Sequence, residues 1–134
     1  MILLDASVVF KWIFRDEDGE GNARLYRDRH ISGEEIVAVP GLFFYEIANV
    51  LATKTTLNKN DIVDAFSLIW KFDFEIFSFG LEEFLTGINL SKRYGITLYD
   101  AAYICLSQKL KCHLVTADKR LYEKIEGLKE IILL

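Results

Sequence analysis

Asp5, Glu46, Asp100 and Asp118 are the residues of this chain best placed to do chemistry, because each is a carboxylate that its surroundings could bring to one shared pocket. Asp5 ends the apolar run Met1 to Leu4, and Asp118 closely follows Leu114 and Val115. Both read as residues at the carboxyl ends of buried strands, the edge at which open parallel sheets bind ligands. Glu46 and Asp100 fall in helical stretches within a turn or two of a helix start, so they can project toward the same edge. Carboxylates gathered this closely repel one another, and their pKa values rise unless a cation neutralises them. Oxygen donors alone, without His or Cys, suit Mg2+ or Mn2+ rather than Zn2+.

The elements that must position these acids alternate along the chain, with no repeat, low-complexity tract or linker. That predicts a single α/β domain over residues 1–134 with a central, mostly parallel five-stranded sheet. Strands are expected at about Ile2 to Leu4, Ile36 to Val39, Phe74 to Phe79, His113 to Thr116 and Glu130 to Leu133. Helices are expected at about Ser7 to Phe14, Gly21 to His30, Gly41 to Thr55, Asn60 to Lys71, Leu81 to Tyr94, Leu98 to Lys109 and Lys119 to Ile125. Pro40 should stop the second strand and open the third helix, Asn58 to Asp61 reads as a polar turn and cap, and Gly95 as a left-handed helix end. Right-handed crossovers would then bring the strand ends at Asp5 and Asp118 together. Phe72, Phe74, Phe77, Phe79 and Phe84 are expected in the core, any exposed remainder marking a self-association or partner surface.

Taken singly, three of the acids have structural explanations. Asp5 precedes Ala6 and Ser7 at a strand-to-helix junction, where its side chain can cap exposed N–H groups. Thr97 to Asp100 matches the capping-box pattern. Asp118 can cap the helix that begins at Lys119, with Thr116 as an alternative cap. Glu46 is harder to explain in this way, since it interrupts the nearly apolar helix Leu42, Phe43, Phe44, Tyr45, Ile47, Ala48, Val50, Leu51. At about 100° per residue it shares a thin polar stripe with Asn49 and Thr53, between Phe43 and Val50, which is either a sliver of solvent-facing surface or the lining of a cleft. A charge among aromatic neighbours is costly without a partner, which favours the cleft.

Composition removes other classes. The chain has 134 residues, 51% of them hydrophobic, enough to bury a full core without disulfides. Cys105 and Cys112 lie in unrelated contexts and are expected to be reduced, in keeping with a cytoplasmic protein. The opening apolar stretch is too short for a signal peptide, and Pro40 and Gly41 interrupt the run from Val37 to Tyr45, so no membrane span is expected. Twenty acidic against 16 basic residues, net −4, argue against a general basic coat for nucleic acid. Local basic pairs, Lys92 with Arg93 and Lys119 with Arg120, could still position a strand beside a cation-filled pocket, though solvated surface charge is the favoured reading of each pair taken singly. His30 and His113 lack metal-ligand spacing, and no glycine-rich phosphate loop or nucleophile elbow occurs.

Four blocks carry a family resemblance: Leu3-Leu4-Asp5-Ala6-Ser7-Val8-Val9-Phe10-Lys11-Trp12, Pro40 through Glu46-Ile47-Ala48-Asn49-Val50-Leu51, Thr97-Leu98-Tyr99-Asp100-Ala101-Ala102-Tyr103, and Val115-Thr116-Ala117-Asp118-Lys119-Arg120-Leu121. In order, spacing and length the chain resembles the PIN-domain ribonucleases, specifically the toxin half of VapBC-type toxin–antitoxin pairs. The resemblance implies a three-layer α/β/α PIN-like fold with the first strand central. It implies that Asp5, Glu46, Asp100 and Asp118 are the metal-binding acids, with Ser7 and Thr116 as supporting hydroxyls. It further implies a Mg2+- or Mn2+-dependent endoribonuclease, a homodimer, and a VapB-like antitoxin whose tail blocks the pocket. In such a site one or two cations bind the scissile phosphate and activate water. Asp5, Asp100 and Asp118 would be direct or water-bridged ligands, and Glu46 either a ligand or the acceptor that orients water.

Two other classes compete. A catalytically silent RNA-binding or scaffold module would keep the acids for folding only. An α/β phosphatase or receiver-type domain fits less well, because a haloacid-dehalogenase-type site wants an Asp where Ser7 stands and a receiver wants a phospho-accepting Asp after the third strand. RNA cleavage lost with EDTA separates the nuclease from both.

Overall fold

Short apolar runs pair here into one sheet, and the helices between them cover both of its faces. The computed structural model describes residues 1–14 and 19–134. Among these, the strands are β1 (Ile2–Leu4), β2 (Val37–Pro40), β3 (Glu75–Phe77), β4 (Leu114–Thr116) and β5 (Ile131–Leu133). The helices are α1 (Ala6–Ile13), α2 (Glu20–Ile31), α3 (Leu42–Thr53), α4 (Lys59–Trp70), α5 (Leu81–Tyr94), α6 (Leu98–Leu110) and α7 (Lys119–Lys124). All strand pairs are parallel, in the order β3-β2-β1-β4-β5, so the expected sheet is found with no antiparallel member.

Alternation along β1 divides the core. Ile2 and Leu4 pack with Val8 and Val9 of α1, Ala23 of α2, Phe43, Ile47 and Leu51 of α3, and Ile69 of α4. Leu3 faces the other way, toward Ala101, Ile104 and Leu121 of α6 and α7. The layers are therefore α/β/α. Helix α6 is buried along Ala101 to Ser107, as expected of a helix apolar on nearly every side. It lies close against α5 because Gly87 is buried at the contact, where an added Cβ would stand 3.1 Å from the Leu98 side chain.

Strand order places the topological switch between β1 and β4. From β1 the chain winds outward through β2 and β3, then returns across the sheet to β4 on the other side of β1. Adjacent parallel strands that wind in opposite directions leave a crevice beyond their carboxyl ends. Register brings those ends level, with Leu4 opposite Val115 and the Asp5 N–H donating to the Val115 carbonyl at 3.0 Å.

The sequence boundaries hold to within a few residues, and the differences have local causes. Pro40 is the last residue of β2 rather than the opening of α3, and Gly41 forms the junction, donating to the Phe77 carbonyl at 3.0 Å. Pro40 pairs with Phe77 and is the last residue of β2 before the chain turns at Gly41 into α3, so β3 loses its neighbour there and ends at Phe77 rather than Phe79. Helix α3 ends at Thr53 rather than Thr55; Thr53 and Thr55 donate their hydroxyls back to the Asn49 and Leu51 carbonyls. Asn58 caps α4 by accepting from the Asp61 N–H at 2.9 Å, and Gly95 ends α5 at a φ of 62°, as expected of both.

The phenylalanine-rich segment is mostly core. Phe74 is buried against Trp12, His30, Phe43 and Phe72, while Phe84 is about half exposed and pairs edge-on with Phe79. Among the described residues, no helix is long and apolar enough to cross a membrane.

Candidate functional site

Asp5 follows β1 and caps α1. Its carboxylate accepts weakly from the Ser7 N–H at 3.5 Å, and one oxygen, Oδ2, accepts hydroxyl protons from both Ser7 at 2.8 Å and Thr116 at 2.6 Å. Thr116 ends β4, so this bond crosses the switch crevice. Its oxygen also accepts from the Asp118 N–H at 3.1 Å, and the Ala117 N–H donates to Ser7 Oγ at 2.9 Å. Asp5 and Asp118 are thus one hydroxyl apart. Thr116 does not cap α7; Asp118 does, accepting from the Leu121 N–H at 3.0 Å.

Glu46 and Asp100 reach the crevice from helices. Asp100 lies in the first turn of α6, where Thr97 caps the helix by accepting from the Asp100 N–H at 3.1 Å. One turn further along α6, the buried Tyr103 donates its phenolic proton to Glu46 Oε2 at 2.5 Å and takes a hydrogen bond from the Ala6 N–H. Tyr103 therefore links α3, α6 and the start of α1 beside Asp5. Glu46 also lines a hollow with Tyr45, Asn49 and Tyr99, so its polar stripe is a cleft wall.

Electrostatics show that the four acids share one environment. Burial pushes the Asp5 carboxyl up from its ordinary value and the charge of Asp118 adds to this, against the hydrogen bonds from Thr116 and Ser7. Burial raises Glu46 to about 7, opposed by the Tyr103 hydroxyl and helped by the charges of Asp5 and Asp100. Asp100 rises through burial and the charges of Asp5 and Asp118, with Thr97 and Lys124 acting the other way. Lys124 extends from α7 to the Gly95 carbonyl at 3.3 Å.

The donor set fits a hard divalent cation in kind: carboxylate and hydroxyl oxygens, with Asp5, Glu46 and Asp100 partly withdrawn from water, in a repulsion that a cation would relieve. Among the described residues, no three His, Cys, Asp or Glu side chains stand ready-made around one ion. Their present partners account for this, because Glu46 is held by Tyr103 and Asp118 by the α7 backbone.

The structure brings together all four acids together with Ser7 and Thr116. Sequence reasoning missed Tyr103 and Lys124. Tyr103 had a weak signal, a phenol three residues after Asp100 and hence on the same helix face, but inside a run that reads as core. His30 stays apart, as expected: it receives the Val37 N–H on Nδ1 at 3.3 Å and donates from Nε2 to the Phe72 carbonyl at 2.6 Å, at the opposite edge of the sheet. Cys105 and Cys112 are free thiols away from the acids.

Known proteins share this fold. Ribonuclease VapC3 of Pyrobaculum aerophilum is 27% identical over 132 residues, covering 95% of this chain and 96% of its own length. A toxin–antitoxin complex from Klebsiella pneumoniae contains a chain that superposes with a TM-score of 0.70 at 14% identity, over 98% of this chain and 96% of that one. VapBC2 from Rickettsia felis, bound to a DNA fragment from its promoter, gives 0.67 at 16% identity, over 100% and 98%. At such identities the structural likenesses speak for the fold. The PIN domain family model matches residues 2–127, from the first residue of β1 to beyond the end of α7, and the chain belongs to that family.

Proposed function

We propose that this chain is a metal-dependent endoribonuclease that hydrolyses RNA phosphodiester bonds at Asp5, Glu46, Asp100 and Asp118. The observation that carries the proposal is the carboxylate set at the switch crevice, with Asp5, Glu46 and Asp100 partly buried and Asp118 at its exposed side. Asp5, Glu46 and Asp100 are all raised, first by burial and then by charge, from Asp118 at Asp5, from Asp5 and Asp100 at Glu46, and from Asp5 and Asp118 at Asp100, where Lys124 is the cation that offsets them. Folding tolerates such repulsion where something binds there. The name of the Pyrobaculum aerophilum relative supports RNA as the substrate.

Asp5, Asp100 and Asp118 would hold Mg2+ or Mn2+, and a bound divalent ion supplies charge neutralisation at the scissile phosphate and activation of water. The residues of the chain do the rest. Ser7 and Thr116 fix the orientation of the Asp5 carboxylate through Oδ2, leaving Oδ1 with only the long contact from the Ser7 N–H at 3.5 Å. Glu46, with a carboxyl that titrates near 7, can accept a proton from an attacking water at neutral pH, and Tyr103 aligns it for that role.

In the cell, the proposed setting is a single-domain cytoplasmic toxin, homodimeric, restrained by a VapB-like antitoxin that covers the acids. The toxin–antitoxin titles of the fold neighbours support that partner. The direct test is cleavage of single-stranded RNA in Mg2+ or Mn2+ by the protein and by Asp5→Asn. Asn caps a helix as well as Asp does, so the variant removes charge and keeps the cap. Cleavage should fall by at least about 10²-fold and should vanish in EDTA. Full activity in Asp5→Asn would end the proposal.

A further inference from the structure

Three hollows adjoin one another along α3, and of the four acids Glu46 lines the middle one. The first, about 280 Å3, is apolar and is walled by Leu42, Phe79, Phe84 and Tyr99. The second, about 560 Å3, shares Leu42 and Tyr99 with the first and adds Tyr45, Glu46 and Asn49. The third, about 630 Å3, shares Val50 and Lys54 with the second and reaches Ser7, the residue that holds Asp5. Leu42, Glu46, Asn49, Val50 and Lys54 recur at helical spacing, so one face of α3 forms the floor of the whole track.

The two ends differ in chemistry. Tyr99 and Tyr45 are 63% and 81% exposed, and neither ring packs on another aromatic ring among the described residues. Large exposed rings beside an apolar hollow offer π-faces to an unstacked base. At the other end Lys54 is exposed, has no ion pair among the described residues, and stands with the hydroxyls of Ser7, Thr55 and Thr56. An ammonium among hydroxyls suits a phosphate and its ribose.

We propose that single-stranded RNA lies along α3, with a base stacked on Tyr99 at the mouth of the apolar hollow and a phosphate beyond the cut held by Lys54. The inference rests on the nuclease function proposed above. If the scissile phosphate sits at the acids, the nucleotides flanking it must occupy the adjoining spaces, and those are these hollows. Duplex RNA, whose bases are already stacked, could not use the tyrosine.

Steady-state cleavage of a short single-stranded RNA tests this. Tyr99→Ala should raise KM by about 10-fold with little change in kcat, and Tyr99→Phe, which keeps the ring, should restore KM. Lys54→Ala should weaken RNA binding and lower the slope of log affinity against log salt by about one. A duplex of the same sequence should be a poor substrate whose cleavage is indifferent to Tyr99. If the parent protein cuts RNA but Tyr99→Ala leaves KM unchanged, the track is wrong and the nuclease stands. The same holds if Tyr99→Ala affects only the capture of a protein partner, which would assign the hollow to that partner. If the parent protein cuts no RNA, both fall.

Discussion

The two edges of the sheet bury polar groups to opposite ends. At the amino-terminal edge His30 is tied to the backbone through both ring nitrogens, joining α2 to β2 and to the segment before β3, and its ring stacks on Phe74. Both ring nitrogens there meet backbone groups fixed by the fold. At the carboxyl-terminal edge Asp5, Glu46 and Asp100 are also hydrogen-bonded, but to hydroxyls that hold like charges close together. The first arrangement spends polar groups on joining elements. The second keeps repulsion in place, and that is what a cation-binding site needs before its ion arrives.

That contrast can be broken most severely at Asp5. Asp5→Asn should abolish cleavage while leaving the metal-free protein as stable as before or more so, measured by thermal melting in EDTA. A marked loss of stability would make Asp5 a structural residue like His30. The converse substitution, His30→Ala, leaves the Phe72 carbonyl and Val37 N–H unpaired in a partly buried place. It should cost about 1–3 kcal/mol of stability in denaturant melts, with cleavage per folded molecule unchanged.

Tyr103→Phe removes one hydroxyl and keeps the core filled. Loss of an orienting partner should lower cleavage by about 10-fold. Because the Tyr103 hydroxyl holds the Glu46 pKa down, its removal should also move the ascending limb of the rate against pH upward. A purely structural tyrosine would lower stability without moving that limb.

The smallest expected effect is on pH-dependent stability. Glu46 binds its proton more tightly in the folded protein, with a pKa of about 7 against 4.5, so it favours folding most below pH 4.5 and that contribution is lost as the pH rises through about 7. Asp5 and Asp100 shift in the same direction. In EDTA the protein should therefore melt at a higher temperature at pH 5 than at pH 8, and Glu46→Gln should narrow the difference. An unchanged difference in that variant would mean that Glu46 is not the desolvated acid described here.

Much of this was legible in the residues. Ile2 to Leu4 and Leu114 to Val115 are apolar runs closed by acids, and Asn58, Thr97 and Gly95 announce helix ends through side chains and backbone freedom that act locally. The joint placement of Asp5 and Asp118 followed from parallel strands and crossover handedness, which are general. What stayed hidden depended on contacts distant in sequence. Tyr103 meets Glu46 across 57 positions, and a tyrosine inside a buried helix looks like any other core ring until its partner is known. From local spacing alone Thr116 read as a spare cap, because its bond to Asp5 spans 111 positions, and only the family resemblance gave it a supporting role. The early end of β3 required knowing that β2, which ends at Pro40, would be its neighbour.

Titration calorimetry with Mn2+, in two buffers of different ionisation enthalpy, addresses the central claim that these acids are a cation site held in repulsion. Near pH 6.5 the parent protein should bind Mn2+ with release of protons, because Glu46 is then largely protonated and must yield its proton as the ion neutralises the site. Asp5→Asn should bind far more weakly. Absence of binding in the parent protein, or equal binding in Asp5→Asn, would contradict the claim.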